Sequence, residues 1–359
     1  MNFLHKLAPY IIIAAVATGC AKASTEGVNV ANKRYLDSWI SINYPDLKAQ
    51  WNGEEDENGF YVIPDQTEEG TGKEVTDNGY AMVSYTTTDL EGNFTAYTDA
   101  ETAMQMGTYD STYYYGPQVW LTMDETIPAG VQNAIVGMKT GGSKKIIVPS
   151  WLMTYSSYPT AEKYLNTSST HSNTIYSFKV EDFTEDINTW QIDRIKEYID
   201  SNQDRYGALQ DFNKDTRKDT TGFYFRSLAQ QNTDTVAFKS DTTIYINYTG
   251  RLLNGRMFDT NVERTAKDNG LYNPSRSYGP AKVRWSESYS DLTLNGSSVI
   301  SGFAMTLWNL NDLGDGGKMD KAVGIFYSPL GYGTSGSGSG IPGYAPLVFE
   351  IEIVPAPED

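Results

Sequence analysis

The chain has 359 residues, 39% of them hydrophobic and 20% charged, a composition typical of a soluble protein and a length sufficient for two domains. Acidic residues outnumber basic ones by 45 to 28, and the formal charge of −17 argues against nucleic acid as a partner. One cysteine and two histidines provide neither an internal disulfide nor the ligands of a transition-metal cluster, so we expect no metal and no cofactor.

The first residues have the features of a targeting segment. Lys6 supplies a positive charge, residues 8–16 form an apolar stretch too short to span a bilayer, and Ala17-Thr18-Gly19-Cys20 resembles the lipobox of bacterial lipoproteins. The resemblance implies a signal peptide at residues 1–19, lipid on Cys20 and a polar tether at residues 20–30. We therefore expect a membrane anchor that holds the chain in the bacterial cell envelope, facing the periplasm or the surface of the outer membrane. An ordinary signal peptide followed by an accidental cysteine is the alternative.

The chain repeats itself at an offset of 163 residues. Nineteen residues between positions 31 and 117 recur in this register, among them Tyr85 as Tyr248 and Gly116 as Gly279. This agreement indicates a duplication, which predicts a first domain at residues 31–187 and a second at residues 188–359. Beyond residue 117 the offset changes, and the sequence pattern aligns Phe178 with Phe349.

Each repeat begins with a helical segment. Apolar residues recur at helical spacing in both segments, which predicts that each helix packs on its own domain. The residues are Tyr35, Trp39 and Ile42 in the first segment and Ile192, Ile195, Tyr198 and Ile199 in the second. Runs rich in β-branched and aromatic residues predict strands at 80–86, 143–149, 175–182, 243–249, 321–327 and 346–354.

The second repeat contains an ordered series of short motifs. They are Tyr248-Thr249-Gly250, Phe258-Asp259, Val299-Ile300-Ser301-Gly302-Phe303, Leu330-Gly331-Tyr332-Gly333 and a terminal strand with Phe349. The set is aromatic and aliphatic, with one carboxylate and two phenols at its edge. It contains no nucleophile paired with a base, so its chemistry must be conformational.

The order and spacing of these motifs resemble the FK506-binding protein (FKBP) family of peptidyl-prolyl isomerases. The resemblance implies an α+β fold of two tandem domains, each a bent antiparallel sheet wrapped around a short helix. It also implies isomerisation of X-Pro bonds in proline-containing polypeptides. The implied catalytic residues are Asp259, Tyr332 and Tyr248, and the implied substrate-binding residues are Phe258, Val299, Ile300, Phe303 and Phe349.

The second repeat departs from the family pattern in two ways. Phe303 stands where the family most often has tryptophan, and the segment 260–298 is roughly twice as long as usual. This insertion could line, lengthen or cover the groove. Each implied site residue also has a simpler explanation, because the apolar ones suit any half-open barrel core and the polar ones suit turns or strand surfaces.

The first repeat lacks most of the pocket. Thr87 takes the place of Gly250, and Thr95-Ala96 take the place of Phe258-Asp259 unless a local shift brings Tyr97-Thr98 there. Pro128 removes a backbone N–H that the family uses for substrate, and Val131 replaces the aromatic floor. We therefore expect a binding or spacing module. The alternative for the whole chain is a non-catalytic chaperone or glycan-binding lipoprotein, with Tyr113, Tyr114 and Tyr115 as a stacking surface.

Overall fold

The computed structural model describes residues 27–50, 59–123, 126–155, 158, 161–214, 216–228, 236–310, 312–313 and 320–358. The predicted signal peptide, Cys20 and most of the predicted tether lie outside this part of the chain. Within it, no helix is both long and apolar enough to cross a membrane.

The N-terminal part, which we call the first unit, is a sheet flanked by helices. Its helices are α1 Val28–Asn43, α2 Pro45–Gln50, α3 Ala100–Gln105, α4 Ala129–Ile135 and α5 Ala161–Leu165. Its strands are β1 Tyr61–Val62, β2 Tyr80–Thr88, β3 Phe94–Tyr97, β4 Gln118–Leu121, β5 Ser143–Val148 and β6 Thr174–Thr184. The strand order is β1-β5-β6-β2-β3, β4 also pairs with β2, and the pairings are antiparallel.

The C-terminal part, the second unit, repeats this architecture. Its helices are α6 Ile187–Ser201, α7 Gln203–Tyr206, α8 Glu263–Asp268 and α9 Ser301–Asn309. Its strands are β7 Phe223–Ser227, β8 Val236–Ala237, β9 Thr243–Leu252, β10 Met257–Thr260, β11 Ala281–Arg284, β12 Thr293–Leu294, β13 Ser297–Ser298, β14 Asp312–Leu313, β15 Lys321–Phe326 and β16 Leu347–Val354. The order of the main sheet is β13-β12-β11-β9-β16-β15-β7, with β10 also paired to β9, while β8 and β14 pair separately.

The two sheets share one topology. The order β1-β5-β6-β2 matches β7-β15-β16-β9, and β3 and β4 join β2 as β10 and β11 join β9. One helix, α4 or α9, packs on each sheet and contributes to its core. The predicted α+β class, with two antiparallel sheets each holding a short helix, is therefore confirmed. The division of the chain at 187/188 stays a prediction.

A glycine brings α9 close to its sheet. A Cβ atom at Gly302 would lie 2.3 Å from the ring of Phe326, so only glycine permits this approach. Gly130 has the same position in α4, where a Cβ atom would lie 2.6 Å from Val148. The duplication thus extends to the contact between helix and sheet.

Strand pairing corrects one part of the predicted alignment. Gly250 pairs with Phe349, and its equivalent Thr87 pairs with Tyr176. Tyr176, not Phe178, therefore occupies the position of Phe349. The alignment failed here because the connections that precede β6 and β16 differ in length, so the sequence offset changes just before these strands.

The helical segments are present, but the first one begins and packs differently from the prediction. α1 starts at Val28, inside the predicted tether, and its buried apolar residues are Leu36 and Ile40. Tyr35 and Ile42, predicted to pack, are 48% and 79% exposed. The helix buries the face that contacts the first core, and that face is set by the tertiary fold rather than by the most apolar stripe.

The second helical segment packs as predicted. Ile195 and Ile199 of α6 are fully buried in a cluster with Val323, Ile325 and Val348, which belong to β15 and β16. Asp186 caps α6 by accepting hydrogen bonds from the backbone N–H groups of the first turn. α6 thereby covers the face of the second sheet opposite α9.

Candidate functional site

The polar centre of the predicted site lies where β9 and β10 pair. Asp259 faces Gly250 in this pairing, and Tyr248 lies two residues earlier on β9. The Tyr248 hydroxyl donates to Asp259 Oδ2 at 3.0 Å, and Arg276 Nη1 donates to Asp259 Oδ1 at 2.5 Å. Arg276 Nη2 also donates to the Tyr248 hydroxyl at 3.1 Å. The three side chains form a closed hydrogen-bonded triangle in which both carboxylate oxygens are engaged.

Burial keeps the phenols of this site protonated. Desolvation raises the pKa of Tyr248, and the charge of Asp259 raises it further. Desolvation also raises the pKa of Tyr332, again with a contribution from Asp259. Both hydroxyls therefore stay protonated throughout the physiological pH range, and that of Tyr248 donates to Asp259.

Arg276 is a site residue that the sequence reasoning missed. It lies in the segment 260–298, in a turn where Asn273 Oδ1 accepts from the Ser275 N–H and the Tyr278 hydroxyl accepts from the Asn273 N–H. Its guanidinium lies 5.5 Å from the centre of the Tyr278 ring. The available signal was electrostatic but not specific, because a carboxylate favours a nearby cation and this segment contains several, among them Arg264, Arg276 and Arg284. The segment therefore lines the site.

Aromatic rings form the floor of the pocket. Phe303 of α9 meets Phe349 of β16 at 5.0 Å between ring centres, with the rings nearly perpendicular. Tyr248 meets Phe303 edge to face at 5.5 Å, and Phe258 meets Phe349 in the same way at 5.5 Å. Phe303 and Phe349 are buried, while Phe258 is half-buried. Phe303 therefore supplies an apolar floor where the family usually has tryptophan.

The start of α9 adds an aliphatic wall and a backbone donor. Val299 and Ile300 are half-buried and pack against the second core. Ile300 is the N-cap residue of α9, and its carbonyl accepts a hydrogen bond from the Ala304 N–H at 3.0 Å. Within the described residues, the Ile300 N–H donates to no acceptor.

Tyr332 lies at the beginning of the glycine-rich segment between β15 and β16. It follows the short turn Ser328–Leu330 and packs, half-buried, against the second core. It belongs to the same cluster of side chains as Phe303 and Phe349. All eight predicted pocket residues thus belong to one side of the second unit, around α9 and the β9–β16 pair.

The absence of a side chain at Gly250 leaves room for the ring of Phe258. A Cβ atom at Gly250 would lie 2.6 Å from the Phe258 ring and 2.9 Å from that of Phe349. In the first unit Thr87 occupies this position, and its hydroxyl lies 2.7 Å from that of Thr95. The space filled by a ring in the second unit is taken by two small polar side chains in the first.

The first unit lacks the remaining site groups too. Thr87 pairs with Ala96, as Gly250 pairs with Asp259, so the direct 163-residue register is correct and the shift to Tyr97-Thr98 is wrong. Pro128 precedes α4 where Ile300 precedes α9, and Val131 stands for Phe303. In the 163-residue register, Tyr113 occupies the position of Arg276.

Trp120 fills the corresponding interior of the first unit. This residue of β4 pairs with Ala81 as Val283 of β11 pairs with Ile244, which makes the two positions equivalent. The Trp120 ring lies 5.1 Å from that of Tyr85 and 5.7 Å from that of Phe178. The first unit therefore fills with aromatic side chains the region that corresponds to the predicted site of the second.

No family model matches the chain. Among curated proteins it is similar to a probable FKBP-type peptidyl-prolyl cis-trans isomerase of Haemophilus influenzae, with 26% identity over 151 residues, which covers 42% of this chain and 49% of that one. It is also similar to FK506-binding protein 2 of Dictyostelium discoideum, with 29% identity over 125 residues, 33% of this chain and 69% of that one. The chain spans about half the length of the Haemophilus protein.

Solved structures with some similarity include the three FKBP domains of wheat FKBP73 and FkpA from Escherichia coli. The first has 12% identity and a TM-score of 0.28 and covers 83% of this chain and 94% of that one. The second has 22% identity and a TM-score of 0.28 and covers 47% of this chain and 62% of that one. At these scores the superposition is loose.

Proposed function

Because this chain belongs to the family of FKBP-type peptidyl-prolyl cis-trans isomerases, we propose that its second unit catalyses the isomerisation of X-Pro bonds in polypeptides. The observation that carries the proposal is the arrangement of the site. An aromatic cluster, a carboxylate fixed beside it and a backbone donor at the start of α9 lie together on one side of the second unit.

The physical problem is the stiffness of the amide bond. Resonance gives rotation about this bond a barrier of about 18–20 kcal/mol, and uncatalysed prolyl isomerisation takes tens of seconds or longer. In the twisted state the conjugation is lost, so the carbonyl is less polar and prefers an environment with less water. A pocket that binds the twisted geometry better than the planar one accelerates the rotation.

The site residues supply these conditions. Phe303, Phe349 and Phe258 seat the pyrrolidine ring and exclude water. The Ile300 N–H and the Tyr332 hydroxyl orient the carbonyls that flank the proline. Asp259 is held by Tyr248 and Arg276, so its negative charge has a fixed position beside the aromatic cluster.

The proposal is tested on the intact chain with a protease-coupled assay and an Ala-Leu-Pro-Phe peptide. We expect Asp259→Ala and Tyr332→Phe to lower turnover with little loss of stability, since both side chains lie at the rim. Ile300→Ala should lower turnover while costing less stability than removal of a fully buried side chain. Thr87→Ala, a control in the first unit at the position equivalent to Gly250, should leave the rate unaltered. A folded chain that gives no rate above background would exclude catalysis.

A second candidate function is non-catalytic binding, and one observation favours it. Tyr109, Tyr113 and Tyr115 form a ring cluster on the first unit, with Tyr109 and Tyr115 stacked at 5.5 Å and Tyr113 39% exposed. Exposed tyrosine rings suit the stacking faces of sugars or of aromatic peptide residues. Binding on a glycan array, or to unfolded protein, by a chain without isomerase activity would favour this alternative.

We further propose that the protein acts outside the cytoplasm, anchored through lipid on Cys20. The support is the sequence Ala17-Thr18-Gly19-Cys20 after a short apolar stretch. Lipid chains stabilise membrane attachment by about 0.8 kcal/mol per buried methylene group. Cys20→Ser should move the protein from the membrane fraction to the soluble fraction. Retention of that variant in the membrane fraction would contradict the anchor.

A further inference from the structure

A loop of the first unit reaches the second unit close to the glycine-rich segment that follows Tyr332. We call residues 109–117 the linking loop and residues 333–343 the glycine segment. The Tyr114 N–H donates to the Ser339 carbonyl at 2.8 Å, and the Tyr114 side chain packs against the second core. The Ser111 hydroxyl donates to the Gly270 carbonyl at 2.9 Å.

Arg256 of the second unit closes this contact from the other side. Its Nη1 donates to the Gly340 carbonyl at 2.9 Å, and its Nη2 donates to the Ser111 carbonyl at 3.1 Å. One guanidinium therefore joins the glycine segment to the linking loop. The glycine segment and the linking loop lie close together, because a Cβ atom at Gly340 would lie 2.9 Å from the Thr112 carbonyl oxygen.

The glycine segment has little internal support at its outer end. Its base is closed by the Tyr344 N–H, which donates to the Gly333 carbonyl at 2.9 Å, and its middle by a bridge between Ser337 and Ile341. Gly333, Gly336 and Gly338 have positive φ angles, and glycine gives the chain wide conformational freedom at such positions. Ile341 anchors this bridge in the second core, and the tip beyond it, residues 338–340, is held by hydrogen bonds from Tyr114 and Arg256.

We propose that the linking loop of the degenerate first unit is a positioning element for the second unit's site, which fixes the glycine segment through Arg256 and thereby places Tyr332. The inference rests on the proposed function for its kinetic consequence. The first unit can perform this positioning role without a binding pocket of its own. Arg256 and Tyr114 are positioning residues, since they act through Tyr332 and not on the peptide directly.

The test uses the intact chain and the substitution Arg256→Ala. Arg251→Ala is the matched control, because Arg251 lies on the same hairpin and, among the described residues, its side chain donates to the Gly255 carbonyl of its own turn. Arg256→Lys is a conservative variant that reaches one carbonyl at a time, since an ammonium group lacks the fork of a guanidinium. Each change is made with Tyr332 and with Tyr332→Phe, and hydrogen exchange of residues 333–343 is measured alongside kcat/KM and the melting temperature.

We expect Arg256→Ala to speed exchange in the glycine segment and to lower kcat/KM about five- to tenfold, with Arg256→Lys intermediate and Arg251→Ala unchanged. In the Tyr332→Phe background the kinetic loss should shrink to less than twofold, because both changes act on one group. Unchanged exchange, or an undiminished kinetic loss in that background, would overturn the inference. If the parent chain has no isomerase activity, the proposed function fails and the exchange comparison alone decides whether the loop positions the segment.

Discussion

Asp259 is bound by Tyr248 through one carboxylate oxygen and by Arg276 through the other. The sequence placed Asp259 and Tyr248 at the rim, but it gave no reason to choose Arg276 among the cations of a long insertion. Arginine suits this position because its rigid fork can reach both the carboxylate and the phenol, whereas a lysine would reach one at a time.

Removal of Arg276 should therefore disturb the site more than the fold. In Arg276→Ala the Asp259 carboxylate keeps only Tyr248, so its orientation at the rim is lost and we expect kcat/KM to fall about tenfold. Both partners are about one-third exposed, so unfolding free energy should change by no more than about 1 kcal/mol. Arg264→Ala is the control, because Arg264 is 88% exposed and pairs with Asp268 on its own helix. Equal activity of the two variants would contradict the assigned position of Arg276.

Gly250 provides a second test at the level of single residues. The methyl group of Gly250→Ala would displace the rings of Phe258 and Phe349, and overpacking of this kind typically costs about 1–3 kcal/mol. We expect a lower denaturation midpoint and a large loss of isomerase activity. Thr87→Ala, at the equivalent position in the first unit, should change neither activity nor the second unit's stability. Normal activity of Gly250→Ala would show that the ring positions do not matter.

Helices and strands differ in how well the sequence predicts them. The six predicted strands are present, with ends displaced by no more than three residues, because their alternating or continuous apolar runs are unambiguous. Short strands such as β10 and β11 escaped prediction, since four residues carry too little pattern. The buried face of α1 was also missed, because Tyr35 and Ile42 look apolar in the sequence although the fold leaves them exposed.

The packing of α6 and α1 predicts how much substitution of buried and exposed isoleucines changes the unfolding free energy. Ile195→Ala and Ile199→Ala each remove a fully buried side chain between α6 and the second sheet, and each should lower the unfolding free energy by about 2–5 kcal/mol. Ile42→Ala, which removes an isoleucine that is 79% exposed, should change it by less than about 0.5 kcal/mol. Urea denaturation measures the change in unfolding free energy for all three variants. Similar midpoints for the buried and the exposed variants would contradict the packing of the helices.

At the scale of the whole molecule, duplication and divergence are both visible. The offset of 163 residues predicted two like units and located Thr87 and Ala96 correctly in the first, and the order of the later motifs located Pro128 and Val131. The contact between units could not be predicted, because Tyr114, Arg256 and Gly340 meet only through the tertiary structure. A sequence pattern reports what each unit buries internally and carries no information on which loop meets the other unit.

Buried tyrosine side chains predict that the folded protein loses stability at alkaline pH. Desolvation raises the pKa of Tyr206 above its ordinary value, with a further contribution from the hydrogen bond that its hydroxyl donates to Glu350, and desolvation also raises the pKa of Tyr176. A raised pKa means that the folded state holds a proton which the unfolded chain releases above about pH 10. Stability is therefore full below pH 10 and falls as the pH rises further.

Thermal melting between pH 8 and 12 tests this alkaline loss. Tyr206→Phe should flatten the fall in melting temperature above pH 10, although loss of the bond to Glu350 lowers the value at neutral pH. Tyr272→Phe, which changes a ring that is 43% exposed, should leave the parent profile as it is. A parent chain whose melting temperature stays constant to pH 12 would contradict the effect of burial.

The most direct test of the account is exchange NMR on the intact chain with a short proline peptide. The measurement needs no protease and reports both the cis-trans exchange rate and the protein residues that the peptide perturbs. We predict exchange much faster than the uncatalysed tens of seconds, with shifts at Tyr248, Ile300, Phe303, Tyr332 and Phe349 and none around Trp120. No exchange above the uncatalysed rate, or exchange with shifts confined to the first unit, would contradict the assignment of isomerase activity to the second unit.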